Sequence, residues 1–226
     1  MKKFWKIFKR VLLWLFIAQL VYILLVWFIN PPITITQAAS LLRGDGLKRD
    51  YVSLNEISPS MRLAVIASED QRFPTHNGFD WEMIQKAIDY NDKHETKVRG
   101  GSTISQQVAK NVFLWQGRSY FRKGLEMYLT FMIELLYSKR RILELYLNVI
   151  ETGKGVFGVE AAAQAFFNKS ASKLSAREAA MIAASLPNPK RFTVKPVSTR
   201  VSSRTPWVQK QMRYMTGAEG LDKLLQ

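Results

Sequence analysis

Three parts of the chain hold residue types that do chemistry. The run Glu69-Asp70-Gln71-Arg72-Phe73-Pro74-Thr75-His76-Asn77-Gly78 follows one apolar helical pattern and precedes another. It therefore falls at a helix end or turn, where side chains face a groove rather than the core. The second part, Gly100-Gly101-Ser102-Thr103-Ile104-Ser105-Gln106-Gln107-Val108-Ala109-Lys110-Asn111, runs a glycine pair into a Ser/Thr-started helix. Free backbone N–H groups at such a start suit an anion. Gln106, Gln107 and Lys110 lie on adjoining faces of that helix. Its glycine and lysine spacing is not that of a P-loop, so nucleotide binding is unsupported. In the third part Arg122, Lys123 and Glu126 share one helix. With Leu125 at zero, a helical wheel puts Arg122 at about 60°, Glu126 at about 100° and Lys123 at about 160°. Glu126 thus borders the apolar stripe with a cation on either side, whereas Glu134, at about 180°, is expected to be solvated.

Each part also has a purely structural reading: a solvated turn with Asp70 paired to Arg72, an ordinary capped helix, and a surface ion pair. Taken together they suggest more. Two glutamates on separate segments are the minimal equipment for chemistry at a sugar anomeric centre. A cationic cluster beside one of them suits a phosphate leaving group. The pair of ideas describes glycosyl transfer from a diphosphate donor.

The elements that must position these residues are mostly helical. Ser58-Pro59 reads as an N-cap with proline at the first helical position. Asp80 caps WEMIQKAI, Ser102-Thr103 cap ISQQVAKNVF, and Ser119 opens a helix of clear 3.6-residue period. Ser138 begins ILELYLNVI, apolar almost all round and so central. Ser175-x-x-Glu178 is a capping box ahead of AAMIAASL, which Pro187-Asn188-Pro189 ends. No βαβ rhythm or repeat is visible, so the domain is mainly α. Ile33-Thr34-Ile35-Thr36 alternates like a short strand within a linker spanning residues 30–53. The polar stretch Asp89–Gly101 reads as an exposed connection. A mobile flap over a groove and an idle loop both have that composition.

Composition narrows the setting. At 226 residues the chain holds one anchor and one well-cored domain. Cysteine is absent, which excludes disulfides and Cys-ligated zinc, and two histidines are too few for a His-rich metal cage. The net charge is +15, of which Lys2, Lys3, Lys6, Lys9 and Arg10 supply five, with no acidic residue before Asp45. Residues 11–29 then read VLLWLFIAQLVYILLVWFI, with Gln19 alone polar. Nineteen helical residues rise about 28 Å, close to the hydrocarbon thickness of a bilayer. Residues 1–10 are expected in the cytoplasm, 11–29 across the membrane, and 54–226 outside as one domain. A cleavable signal peptide shares the basic start but has a shorter apolar core and a small-x-small site, which does not follow Ile29. Placing the basic domain outside the cytoplasm argues against a nucleic-acid partner.

The ordered motifs carry a resemblance. EDQRFPTHNG, GGSTISQQVAKN, RKGLEM, SKRRILELYLNVIETG and SAREAAMIAASLPNP resemble the five motifs of the peptidoglycan glycosyltransferases, over about Leu54 to Phe192. Within that family the chain is similar to the monofunctional, membrane-anchored biosynthetic transglycosylases. The resemblance implies a lysozyme-like domain with a small membrane-apposed lobe. It implies a single-pass inner-membrane protein, periplasmic in its catalytic part, that polymerises lipid II by inverting transfer and releases undecaprenyl diphosphate. The growing lipid-linked strand is the donor, and cell-division or elongation proteins are implied partners. By position Glu69 is the general base. Glu126 assists the leaving group and is the implied metal ligand of a divalent Mg2+ or Mn2+ ion. Lys110, Arg118, Arg122 and Lys123 are implied charge partners, and Gly101, Ser102, Thr103, Gln106, Gln107 and Asn111 implied substrate contacts. Asn148-Val149-Ile150-Glu151-Thr152-Gly153 departs from the aromatic ending common in bifunctional relatives, and no Ser-x-x-Lys with a transpeptidase-sized domain follows, so cross-linking is not expected. A lytic muramidase on a similar fold and a non-enzymatic basic scaffold are the competing readings.

Overall fold

A computed structural model describes residues 1–94, 100–117 and 119–226. The chain divides into two units, 1–32 and 33–226. The first is α1 (Lys2–Phe28), 27 residues long and apolar enough to cross a membrane. It begins inside the basic tail, and it stops where Ile29 turns extended ahead of Asn30-Pro31-Pro32. Proline cannot continue a helix.

The second unit is mostly helical, with one small sheet. Residues 33–53, expected as a linker, instead contain α2 (Ile35–Leu42) and β1 (Lys48–Arg49). The Ile-Thr alternation is not a strand. Thr34 caps α2, its hydroxyl accepting from Gln37 N–H while the Gln37 side chain accepts from Thr34 N–H. That reciprocal pair satisfies two orphan donors and outweighs a four-residue β-pattern. β3 (Val156–Phe157) pairs parallel with β1 and antiparallel, through an irregular register, with β2 (Glu151–Gly153). Gly155 has to be glycine. Its φ is +68°, and a Cβ there would lie 2.1 Å from the Asp45 carbonyl oxygen.

The remaining helices are α3 (Pro59–Glu69), α4 (Trp81–Lys93), α5 (Ile104–Val108), α6 (Tyr120–Leu136), α7 (Lys139–Val149), α8 (Val159–Phe167), α9 (Ala176–Ser185), α10 (Thr199–Met215) and α11 (Asp222–Leu225). Ser58, Asp80, Thr103, Ser119, Ser138 and Ser175 each cap the helix assigned to them. α7 is the buried centre, with Ile142, Leu143, Leu145, Tyr146 and Leu147 fully enclosed. α3 packs against α9 and α10, and α5 against α6 and α7. Four alanines of α9, at 179, 180, 183 and 184, are fully buried and let these helices approach closely. Of the expected Asp89–Gly101 connection, residues 89–93 continue α4 as helix, and residues 95–99 lie outside the described residues.

α5 continues as one π-helical turn, Ala109–Phe113. Such turns are frequent at functional sites. Here the turn carries Lys110 and Asn111.

Candidate active site

α3 stops at Glu69 because Asp70 leaves helical geometry, with φ −161° and ψ 81°. Asp70 is not paired with Arg72. Its side chain, 3% exposed, accepts from the Ile104 N–H at 2.9 Å and from His76 Nε2 at 3.0 Å. His76 Nδ1 accepts from the Gly78 N–H at 3.1 Å. That bond leaves the imidazole proton on Nε2, directed at Asp70. Arg72 instead reaches Asp80 and Glu82, at 3.2 and 2.7 Å. Thr103 closes the junction: its hydroxyl donates to the Gly78 carbonyl at 2.7 Å and accepts from Gln106 N–H. The end of α3 and the start of α5 are thereby tied together beside Glu69.

Gly78 is fixed from both sides. Its φ is +85°, and a Cβ would meet Glu134 Cγ and Thr130 Cγ2 at 2.9 Å. The same packing corrects the expectation for Glu134. Its side chain is 8% exposed, accepts from Lys139 Nζ at 2.8 Å and accepts the Ser105 hydroxyl. A wheel assigns one helix's apolar stripe, but α5 and the 76–78 turn cover the opposite side. Glu134 is a structural ion pair.

Glu69 lies at the junction of two neighbouring cleft compartments. Both are lined by Ser68, Glu69, Met83, Gly100, Ser102 and Arg204. The first also takes in Gly101, Thr103 and Trp207, and the second Gln107, Lys110 and Asn111. Their charges differ. Arg43, Lys110, Lys190, Arg200 and Arg204 face the second, against Glu69 and Glu151. The first has Arg72, Lys86 and Arg204 against Glu69, Asp70, Asp80 and Glu82. One compartment suits a polyanion and the other an uncharged ligand.

Gln107 Nε2 donates to Glu69 Oε2 at 2.9 Å, and the Tyr146 hydroxyl supports Gln107 at 3.3 Å. Burial pushes the Glu69 carboxyl above its ordinary pKa, aided by the Asp70 charge and opposed by Gln107, Arg204 and Lys110. A carboxylate held this way is a better proton acceptor than a solvated one. Burial likewise lowers Lys110, as do the neighbouring charges of Arg122 and Lys123, against the carboxylates of Glu126 and Glu69.

Three of the six buried polar side-chain atoms without a hydrogen-bond partner among the described residues belong to cleft-lining residues: Ser68 Oγ, Asn111 Nδ2 and Arg204 Nε. Buried polar atoms are rarely left so, and a polar ligand in the cleft is the natural complement.

Other expected site residues stand back from the cleft. Gln106 is 3% exposed, and its side chain is used in the α5 capping box. Glu126, also 3% exposed, accepts from Arg122 at 2.7 Å and Lys123 at 2.6 Å. None of these four residues lines either compartment; the charged trio acts on Lys110 through its charges. Arg118 lies outside the described residues. The donor set at Glu126 does not fit a divalent cation. Both carboxylate oxygens are taken by cations, and no group of three or more Asp, Glu, His or Cys side chains gathers there among the described residues.

Sequence reasoning missed Arg200 and Arg204 on α10, and Thr36 and Arg43 around α2. The available signal was Arg200 and Arg204 at i, i+4 spacing behind the Ser198 cap.

The sequence profile of the transglycosylase family matches residues 36–213, which takes in nearly all of α2 and of α10. Over 168 residues the chain is 58% identical to the "Biosynthetic peptidoglycan transglycosylase" of Yersinia pseudotuberculosis serotype O:3 (strain YPIII), covering 74% of this chain and 70% of the relative. The protein of the same name from Yersinia pestis (strain Pestoides F) matches with the same identity and coverage. With a profile matched across most of its length and a part-buried glutamate between two compartments, this chain belongs to the transglycosylase family and is a glycosyltransferase of peptidoglycan biosynthesis.

Proposed function

We propose that the enzyme polymerises lipid II, joining it to a growing lipid-linked glycan strand and releasing undecaprenyl diphosphate. The observation that carries this reading is Glu69 between a cation-rich compartment and one of nearly balanced charge. The diphosphate of the strand lies in the cation-rich compartment, beside Lys110. The 4-hydroxyl of the incoming lipid II attacks the strand's anomeric carbon from the opposite face. The new C1–O4 bond forms as the C1–O bond to phosphate breaks, with inversion, and the hydroxyl proton passes to Glu69. The departing diphosphate carries away the negative charge, which Lys110 and the arginines stabilise as it develops. Hydrolysis of finished glycan has no phosphate to stabilise and leaves the cation-rich compartment without a purpose.

Incubation of the full-length protein with labelled lipid II, followed by sizing of the product, tests the reading directly. Polymer is expected; unchanged lipid II would end it. In the same assay Lys110→Ala is expected to lower kcat/KM by about 10- to 100-fold, the worth of a hydrogen bond to a charged group. Normal use of limiting lipid II by that variant would assign Lys110 to the scaffold instead.

The proposal includes a topology. α1 crosses the inner membrane once, with Lys2 to Arg10 inside and the catalytic unit in the periplasm. The five cations before the apolar run, with no acidic residue before Asp45, support this orientation. A reporter fused after Pro32 is expected to work only if it functions outside the cytoplasm. Activity of a cytoplasm-only reporter there contradicts the orientation.

A further inference from the structure

The first compartment contains a feature that the chemistry at Glu69 does not use. Trp207, on α10, forms part of its wall and keeps 41% of its surface exposed. Its position matters more than its exposure: the indole and Glu69 line the same compartment, where a flat aromatic ring offers a ligand an apolar surface. The indole is also held in place. The Arg204 guanidinium, one helical turn earlier, lies over the ring at 4.4 Å from its centroid. A cation over one face fixes the ring's orientation. α10 is tied to the turn after Glu69 as well, through Gln71 Nε2 and Gln211 Oε1 at 3.1 Å. The ring is therefore a preorganised surface at a fixed place relative to the base.

Around it the compartment presents polar groups without a strong net charge: Arg72, Lys86, Asp80 and Glu82, with the backbone at Gly100 and Gly101. A ligand fitted to such a site is uncharged, has one apolar face for the ring and carries hydrogen-bonding groups at its edge. A pyranose of a β-1,4-linked N-acetylhexosamine chain has that form. Its axial C–H bonds make an apolar face, and its equatorial hydroxyl and acetamido groups ring the edge. A diphosphate is better served by the neighbouring compartment, where five cations face two carboxylates.

We infer that Trp207 is the stacking platform of a glycan subsite, which holds a sugar of the growing strand next to the reacting one. The inference rests on the proposed polymerisation in naming the strand as the occupant. The subsite retains the strand between successive additions, so its quality sets how far a strand grows before release. Trp207 is thus a positioning residue, and it takes no part in bond making.

The test uses the full-length protein and two variants, Trp207→Leu, which keeps apolar bulk, and Trp207→Phe, which keeps an aromatic face. The first readout is the affinity for a tetramer of β-1,4-linked N-acetylglucosamine, measured calorimetrically. Trp207→Leu is expected to bind it about tenfold more weakly, as befits one lost aromatic contact, and Trp207→Phe close to wild type. The second readout is strand length at equal consumption of lipid II, expected to be shorter for Trp207→Leu and restored in Trp207→Phe. A general loss of folding would lower rate without this dependence on aromaticity. Equal tetramer affinity in wild type and Trp207→Leu overturns the subsite, as does the same loss in both variants, or no tetramer binding by wild type. A wild-type protein that binds the tetramer through Trp207 but leaves lipid II unchanged would uphold the subsite and refute the polymerisation.

Discussion

Glu69→Gln is expected to lower polymerisation of lipid II by about 10²–10⁴-fold, the usual contribution of a positioned general base. The fold should survive intact. Gln107 Nε2 donates to Glu69 Oε2, and an amide oxygen at the same place accepts that bond equally well. What the amide cannot do is take the proton of an attacking hydroxyl. The sign of the stability change follows from burial, which raises the Glu69 pKa in the folded protein. A carboxyl raised in this way favours folding fully below its unfolded pKa, and that benefit is lost as pH climbs through the folded value. Above that value the ionised Glu69 is therefore a burden on the fold, and Glu69→Gln removes it. The variant's melting temperature should equal or exceed that of wild type. The same shift sets the acid limb of the wild-type pH–rate profile above the ordinary carboxylate range, with activity appearing as Glu69 ionises. Near wild-type turnover by a folded Glu69→Gln protein would remove Glu69 from the reaction.

That result also bears on how far the sequence alone could lead. Helix starts were legible because an N-cap is a local bond: Ser58, Asp80, Thr103, Ser119, Ser138 and Ser175 each satisfy the amide three residues ahead. The place of Glu69 was legible too, since it follows directly from where α3 must stop. Tertiary partners were not. Glu134 was misjudged because a wheel knows nothing of α5 and Lys139 packed over its other side. Gln106 has the right type and spacing for a substrate contact, yet the capping box it forms with Thr103 consumes it. Arg204 comes to the cleft only because α10 returns across α3 after more than 130 residues of chain. Thr34 illustrates the opposite error, in which a β-like alternation overrode a capping box that was already visible in Thr34-x-x-Gln37.

Glu126 is where motif position and geometry pull apart, and its variants should separate two roles. Arg122 is 8% exposed and bonded to Glu126 at 2.7 Å, whereas the Lys123 side chain is 43% exposed. The Arg122 pair therefore dominates, since a half-solvated partner adds little. Glu126→Ala leaves the Arg122 cation buried without its counter-charge and is expected to destabilise the fold by about 3–5 kcal/mol. Glu126→Gln keeps an acceptor oxygen for Arg122 and should remain folded at assay temperature, so it reports on chemistry. Its effect is expected through Lys110. The Glu126 charge holds the Lys110 pKa up against burial and against Arg122 and Lys123. Without that charge Lys110 deprotonates at lower pH, and a neutral amine no longer stabilises a departing diphosphate. The alkaline limb of the pH–rate profile of Glu126→Gln should therefore move to lower pH, with part of the lost activity recovered on acidification. If Glu126 itself touched the leaving group, the loss would be the same fraction at every pH where Glu69 is ionised. A folded Glu126→Gln enzyme with an unshifted alkaline limb would thus contradict an action through Lys110 and return Glu126 to direct contact with the substrate.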